Sequence, residues 1–410
     1  MKTWIMCYRR GEGLIRIKHR NVLILAFVDQ VAITMSQQGL SILSVDFKNY
    51  AHLGVAQMGI LFSTVALGAI VGMIPAGVIL DRFGPKLVAW LSGAAIFIVM
   101  GLLALWLPTH FIPLMVLLGL VGFFLPALSL TGAAAVTTVF DGSRHEGMAI
   151  GFRQAATPLG GIIAASLFPL LVKTWTLKTV LLLIAVNVGG WTMLFGTILP
   201  QAPLKTHPSP ASSFRIQYLW HQIKKLKMPL WVSFLLSPGQ YALLTYAILD
   251  LHDRWHIHLT YAGPVIALAL LGGFIARIWM GHLSDKGVPV PKLIRLTAGT
   301  GVVSLGLWAF IPRNTPLIAL LFLFLALGAG LDGWNALLTA WIANVTSDDE
   351  RGIGLGLIGL TGFIGIVLFL PVFGFLIRFT HSYRPAWGLL AVIYVAGMIV
   401  SRPSSPYKTH

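Results

Sequence analysis

The stretch GVILDRFGPK, residues 77–86, ends a run with no ionisable side chain between Val55 and Leu80. It brings Asp81, Arg82 and Lys86 together around Gly84 and Pro85. About 205 residues later the chain repeats the pattern as Gly281-His-Leu-Ser-Asp285-Lys286-Gly287. A second pair keeps nearly the same offset: Glu146-Gly147-Met-Ala-Ile-Gly151 against Arg351-Gly352-Ile-Gly-Leu-Gly356, with Gly160 and Gly365 in register. Glycines and an acid duplicated at one spacing mark an internal repeat, so the chain reads as two related halves.

Composition says what the halves are made of. The chain has 410 residues, 57% apolar and 10% charged, where a soluble domain carries about 25% charged residues. Cutting at charge clusters and Pro/Gly turns leaves apolar spans near 21–45, 55–79, 87–107, 112–139, 147–172, 178–199, 229–250, 261–282, 292–311, 316–343, 352–378 and 384–401. Each is near the roughly 20 residues a helix needs to cross a bilayer. Backbone in lipid must satisfy its own hydrogen bonds, so the spans are helices. The expected fold is an all-α polytopic membrane protein with twelve transmembrane helices in two pseudo-symmetric six-helix bundles. Its expected parts are residues 1–199, a cytoplasmic middle loop at 200–228, and residues 229–410.

Lys and Arg set the orientation. With the N-terminus inside, about 20 of the 29 fall in cytoplasmic segments and about 7 in outer loops. Both termini are therefore expected in the cytoplasm, with span one retained rather than cleaved as a signal peptide. The formal charge of +16 is then mostly a topology signal facing anionic lipid headgroups, and it needs no nucleic acid. Within the middle loop, residues 200–213 are rich in Pro and Ser, and 214–227 fit a basic amphipathic helix on the inner leaflet. The single cysteine, Cys7, excludes an intrachain disulfide and a thiolate metal cluster.

The duplicated turn resembles the signature loop between helices two and three of the major facilitator superfamily, and Gly281-x-x-x-Asp285-Lys286 resembles its weaker copy between helices eight and nine. Pro85 stands where that family usually has a basic residue. The resemblance implies a bacterial small-solute permease working by alternating access, and a monomer is expected. It implies that Gly77, Asp81, Arg82, Gly84, Lys86, Gly281, Asp285 and Lys286 form cytoplasmic latches. Asp81 would face the helix start at Gly352 and Asp285 the one at Gly147, each favoured by the helix dipole. A glycine at 77 would let two helices approach closely. A solvated turn that only obeys the positive-inside rule is the alternative.

Four charges fall clearly inside spans, away from their ends: Asp29, Arg153, Arg277 and Asp332. Such charges are costly and point to function by default. Each half has one acid and one arginine, so two ion pairs, Asp29–Arg153 and Arg277–Asp332, are an alternative that needs no solute. Gln30, Thr34, Gln37, Ser41 and Ser44 recur on one face of span one, and a polar face this long must meet water or protein. The resemblance places helices one, four, seven and ten around the central cavity. Substrate-binding candidates are thus Arg153, Gln30, Gln37, Gln240, Tyr241, Asn335 and Arg277, with Asp29 and Asp332 for proton coupling.

The loop at 250–259 gathers Asp250, His252, Asp253, His256 and His258, but a polar, pH-sensitive loop is the expectation there and no metal site is assigned. No nucleotide-binding loop or catalytic triad occurs, so neither an enzyme nor a cofactor is expected. Span four contains no arginine, and 157–161 lacks the leading glycine of the drug-exporter motif. The expected function is secondary active transport of a small polar solute, organic anions included, across the inner membrane with proton coupling. The alternatives are proton-driven efflux of amphipathic drugs or metabolites, and a transporter-like solute sensor.

Overall fold

The computed structural model describes residues 4–7, 15–140, 146–199, 216–312 and 315–402. A short hairpin, β1 (Trp4–Cys7) antiparallel to β2 (Ile15–Lys18), precedes the helices. Then come α1 (His19–Ile42), α2 (Ser44–Tyr50), α3 (Val55–Trp106), α4 (Phe111–Phe140), α5 (Glu146–Thr174) and α6 (Leu177–Ile198). After these, α7 (Ile216–Lys225), α8 (Lys227–Ala242), a π-turn at Leu243–Ala247, α9 (Ile248–Asp253), α10 (Leu259–Asp285) and α11 (Val290–Phe310) follow. The chain continues through α12 (Leu317–Asp332), α13 (Asn335–Val345), α14 (Asp348–Thr380) and α15 (Arg384–Val400).

Ten spans among the described residues are long and apolar enough to cross a membrane, two of them running through a break (α8 to α9, and α12 to α13), and α15 is a shorter apolar helix. One of the ten, α3, has a non-helical residue inside it. Gly84 has φ 77 and ψ 168, a conformation that side-chain-bearing residues avoid, so α3 is two helices meeting at the turn of the opening motif. The second copy behaves alike, with Gly287 at φ 85 just past the end of α10. The duplicated charged turn is therefore also a duplicated backbone turn. Two further breaks had no sequence signal of that kind: the π-turn after α8, and residues 333–334 between α12 and α13.

The chain divides into two compact units. The first comprises Met1–Leu40, Leu67–Ala164 and Leu171–Ser213; the second comprises Ser41–Ala66, Ala165–Leu170 and Phe214–His410. Close helix packing follows the repeat in both. In the first unit, a side chain at Gly68 or Gly72 of α3 would collide with the carbonyls of Gly119 and Phe123 on α4. In the second, Gly272 of α10 meets the carbonyl of Leu325 on α12, and Gly328 of α12 meets that of Ala269 on α10. Small residues permit such backbone approach in membranes. The close approach expected at Gly77 is not found: a Cβ there, or at Gly281, would meet nothing within 4 Å. The contact lies five to nine residues earlier, about one and a half to two and a half turns, where the helices cross.

Large apolar residues such as Leu105, Phe310 and Phe379 are exposed on the helices, as a lipid-facing surface requires. Helix α7 carries Lys224 and Lys225 in its last turn with Trp220 exposed. It is fastened to α14 through Glu350, which accepts hydrogen bonds from Gln222 Nε2 and Lys225 Nζ, each at 2.6 Å. Glu350 also closes a capping box with Ser347 at the start of α14. The Pro/Ser-rich stretch 200–213 lies outside the described residues.

Candidate functional site: the buried charges

In the first unit, Asp29 and Gln30 are adjacent on α1 and point to different neighbours. Asp29 is 1% exposed, and its Oδ1 accepts a hydrogen bond at 2.7 Å from Thr192 of α6. Gln30 faces α5, where its Oε1 accepts from Arg153 Nη2 at 2.5 Å. The same Nη2 donates to the Ser129 carbonyl of α4 at 2.7 Å. Arg153 is buried, and its Nε has no hydrogen-bond partner. Gly132 makes room for the guanidinium: a Cβ there would lie 3.0 Å from Nε and 3.1 Å from Nη2. Among the described residues no carboxylate comes within ion-pair distance of Arg153. The Asp29–Arg153 pair considered from sequence does not form.

In the second unit the corresponding charges are joined. Arg277 Nη2 meets Asp332 Oδ2 at 2.6 Å, and its Nε donates to the Asp332 backbone carbonyl at 3.2 Å. Asp332 Oδ1 also accepts from Gln240 Nε2 and from Asn335 Nδ2. The carboxylate ends α12, where the chain breaks before α13. Carbonyls freed by a helix break need other donors; that of Leu331 accepts from Trp334 Nε1 at 2.8 Å and Tyr394 OH at 3.3 Å. Gln240 and Asn335 thus hold Asp332 in place. Tyr241 and Gln37 are half-buried.

The second unit holds another charged cluster where Ser41–Ala66 meets α9 and the start of α15. Asp253 accepts from Lys48 Nζ at 2.6 Å and Tyr383 OH at 2.8 Å, and lies 3.0 Å from His252 Nδ1. Beside it, Asp250 is fully buried, 2.8 Å from Arg254 Nε and 2.8 Å from Trp387 Nε1. Ser44 Oγ donates at 3.0 Å to the Thr245 carbonyl in the π-turn. Burial lifts the Asp46 carboxyl to about 6, opposed by a backbone hydrogen bond and by nearby His252. Among the described residues no three His, Cys, Asp or Glu side chains group as a metal site would need.

The signature turn is solvated. Asp81, Arg82, Asp285 and Lys286 are exposed, and Arg82 lies over the ring of its neighbour Phe83, 5.3 Å from the centroid. Lys86 is half-buried. Sequence reasoning missed Thr192, Ser129 and Gly132. Thr192 had a faint signal, being a polar residue inside span six; the other two act through backbone and absent bulk, which no residue pattern announces.

Several known proteins share this architecture. The chain is similar to an uncharacterized MFS-type transporter of Mycobacterium tuberculosis, 25% identical over 88% of this chain and 79% of the relative. It is also similar to a hexuronate transporter of Bacillus subtilis, 24% identical over 64% of each. Among solved structures, a nucleoside transporter matches with a TM-score of 0.77 at 14% identity, covering 93% of this chain and 99% of the other. A D-xylose-proton symporter matches with 0.75 at 14% identity, covering 93% and 97%. The model of the Major Facilitator Superfamily matches residues 22–339, and with that match over most of its length the chain belongs to this superfamily of transporters.

Proposed function

We propose that the chain moves a small organic anion by alternating access, coupled to protons, with Arg153 as the anion's partner and Asp29 as the proton carrier. One observation carries this reading: the buried Arg153 guanidinium has only neutral oxygens for partners, whereas that of Arg277 is neutralised by Asp332. A buried guanidinium with no carboxylate at ion-pair distance is expensive and is a candidate for completion by a ligand. Asp29 is buried with a single neutral donor, so it can hold or release a proton without breaking an ion pair. Arg277, Asp332, Gln240 and Asn335 take a structural part in this scheme.

The hexuronate transporter among the relatives makes a sugar acid the natural first solute to try. The excess of Lys and Arg in alternate segments orients both termini to the cytoplasm, with α7 against anionic headgroups of the inner membrane.

The test is uptake of glucuronate into proteoliposomes under an imposed pH gradient, acid outside. The unmodified protein accumulates it, Arg153→Ala does not, and Asp29→Asn still exchanges solute but no longer accumulates it against a gradient. Unchanged accumulation by Asp29→Asn removes Asp29 as the proton site.

A further inference from the structure

We infer that the Gln30 carboxamide oxygen is an internal stand-in for the solute's carboxylate, held on Arg153 until the solute displaces it. The inference rests on the reading of Arg153 as the anion-binding residue and adds the substrate class and the exchange that binding requires.

The geometry supplies the argument. Arg153 Nη2 carries both of the guanidinium's hydrogen bonds, one to Gln30 Oε1 at 2.5 Å and one to the Ser129 carbonyl at 2.7 Å. The Ser129 carbonyl belongs to the α4 backbone and cannot leave. The Gln30 oxygen sits on a side chain with a second attachment, its Nε2 donating to Thr34 Oγ1 at 3.3 Å. It is therefore the exchangeable partner.

Gln30 is also an incomplete one. A guanidinium presents a fork of donors suited to the two oxygens of a carboxylate, and an amide offers a single neutral oxygen. The shortfall is visible: Nε is buried without an acceptor. The seat is built for the guanidinium, since any side chain at position 132 would press on Nε and Nη2. A carboxylate replacing the Gln30 oxygen brings the missing charge, and hydrogen bonds with an ionised acceptor are roughly twice as strong as neutral ones. A neutral sugar brings no such gain and leaves Gln30 where it is. The site thus selects carboxylates by exchange of an anionic oxygen for a neutral one, and Gln30 protects the charge in the empty transporter.

Two substitutions at one position separate this role from that of an ordinary ligand. Gln30→Glu tethers a permanent carboxylate to Arg153; Gln30→Ala removes the stand-in. The readout is thermal melting of purified full-length protein alone and with glucuronate, benzoate or acetate. Gln30→Glu is expected to melt higher than the unmodified protein without ligand and to lose at least tenfold in apparent affinity for the carboxylates. Gln30→Ala is expected to melt lower and to bind them equally well or several-fold more tightly. Equal weakening by both variants makes Gln30 a direct ligand and overturns the stand-in while leaving the Arg153 reading intact. Carboxylate binding that survives Arg153→Ala unchanged overturns both, as does an unmodified protein that responds to none of the three compounds.

Discussion

Arg153 is buried in the first unit and Arg277 half-buried in the second, and what separates their surroundings is a carboxylate. Arg277 has Asp332 at 2.6 Å, and that acid is further held by Gln240 and Asn335. Arg153 has an amide and a backbone carbonyl, while Asp29 turns away to Thr192. The contrast extends to the units as wholes. Every ion pair found among the described residues, from Lys48–Asp253 to Lys225–Glu350, lies in the second unit. Yet the scaffolds are copies, with the same glycine crossings and the same left-handed glycine after the acidic turn. Duplication supplied one frame twice; the charges then diverged, one set joined in an ion pair and the other without one.

If the frames are equivalent, breaking them should cost the same in either unit, and this is the largest effect expected. Gly68→Leu and Gly272→Leu, which occupy the same place in the repeat, each force a side chain into a facing backbone, at a cost on the order of 4 kcal/mol or more. Neither variant should give a monodisperse protein in detergent, while Gly77→Leu and Gly281→Leu should, since both sites are open. Normal behaviour of the Gly272 variant alone would show the two crossings to be unequal.

The charges should then behave unequally. Asp332→Asn strands the Arg277 guanidinium and should lower stability by about 3–5 kcal/mol. Asp29→Asn keeps an oxygen for Thr192 and breaks no direct ion pair, so its cost should be smaller, on the order of 1 kcal/mol. Thermal melts of the two variants side by side would show the difference.

The cluster around Asp253 sharpens the contrast on a smaller scale. Lys48 and Asp253 are about a quarter exposed, so screening holds the loss in Lys48→Met near 1 kcal/mol. The exchange Lys48→Asp with Asp253→Lys should recover part of it, which a melt of the double variant would reveal.

The smallest effect is a pH dependence at Asp46. Folded, this carboxyl keeps its proton to about pH 6, where an exposed aspartate releases it near about 3.9. The folded state then binds more protons between roughly pH 4 and 6, so this contribution is fully present in acid and fades as pH rises through 6. Proteolysis of the Ser41–Ala66 segment should be slower at pH 5 than at pH 7. Asp46→Asn should flatten that difference.

The apolar spans and the duplicated turn were plain in the sequence because they rest on length, composition and repetition. Read through their internal breaks, the observed spans end within four residues of the expected ones. Gly84 and Gly287 were legible as turns because only glycine is at ease there. The breaks at 243–247 and 333–334 were not legible, because no proline stands at either and tertiary donors pay for them. The buried charges were legible as charges but not as partners. Residues 29 and 30 are about 100° apart around a helix, and that angle sends one to α6 and the other to α5. Matching signs suggested Asp29–Arg153 and Arg277–Asp332 equally; the fold forms only the second. Gly77 misled for the same reason, since a glycine pattern gives its spacing but not the point where helices cross.

The central claim is that one arginine is paired and the other is not, and double-mutant cycles on thermal stability test it most directly. One cycle combines Arg277→Met with Asp332→Leu, the other Arg153→Met with Asp29→Leu. The account predicts a coupling energy of about 2–3 kcal/mol at 277/332 and one less than about half as large at 29/153, where no direct ion pair forms. Equal coupling in the two cycles would contradict it.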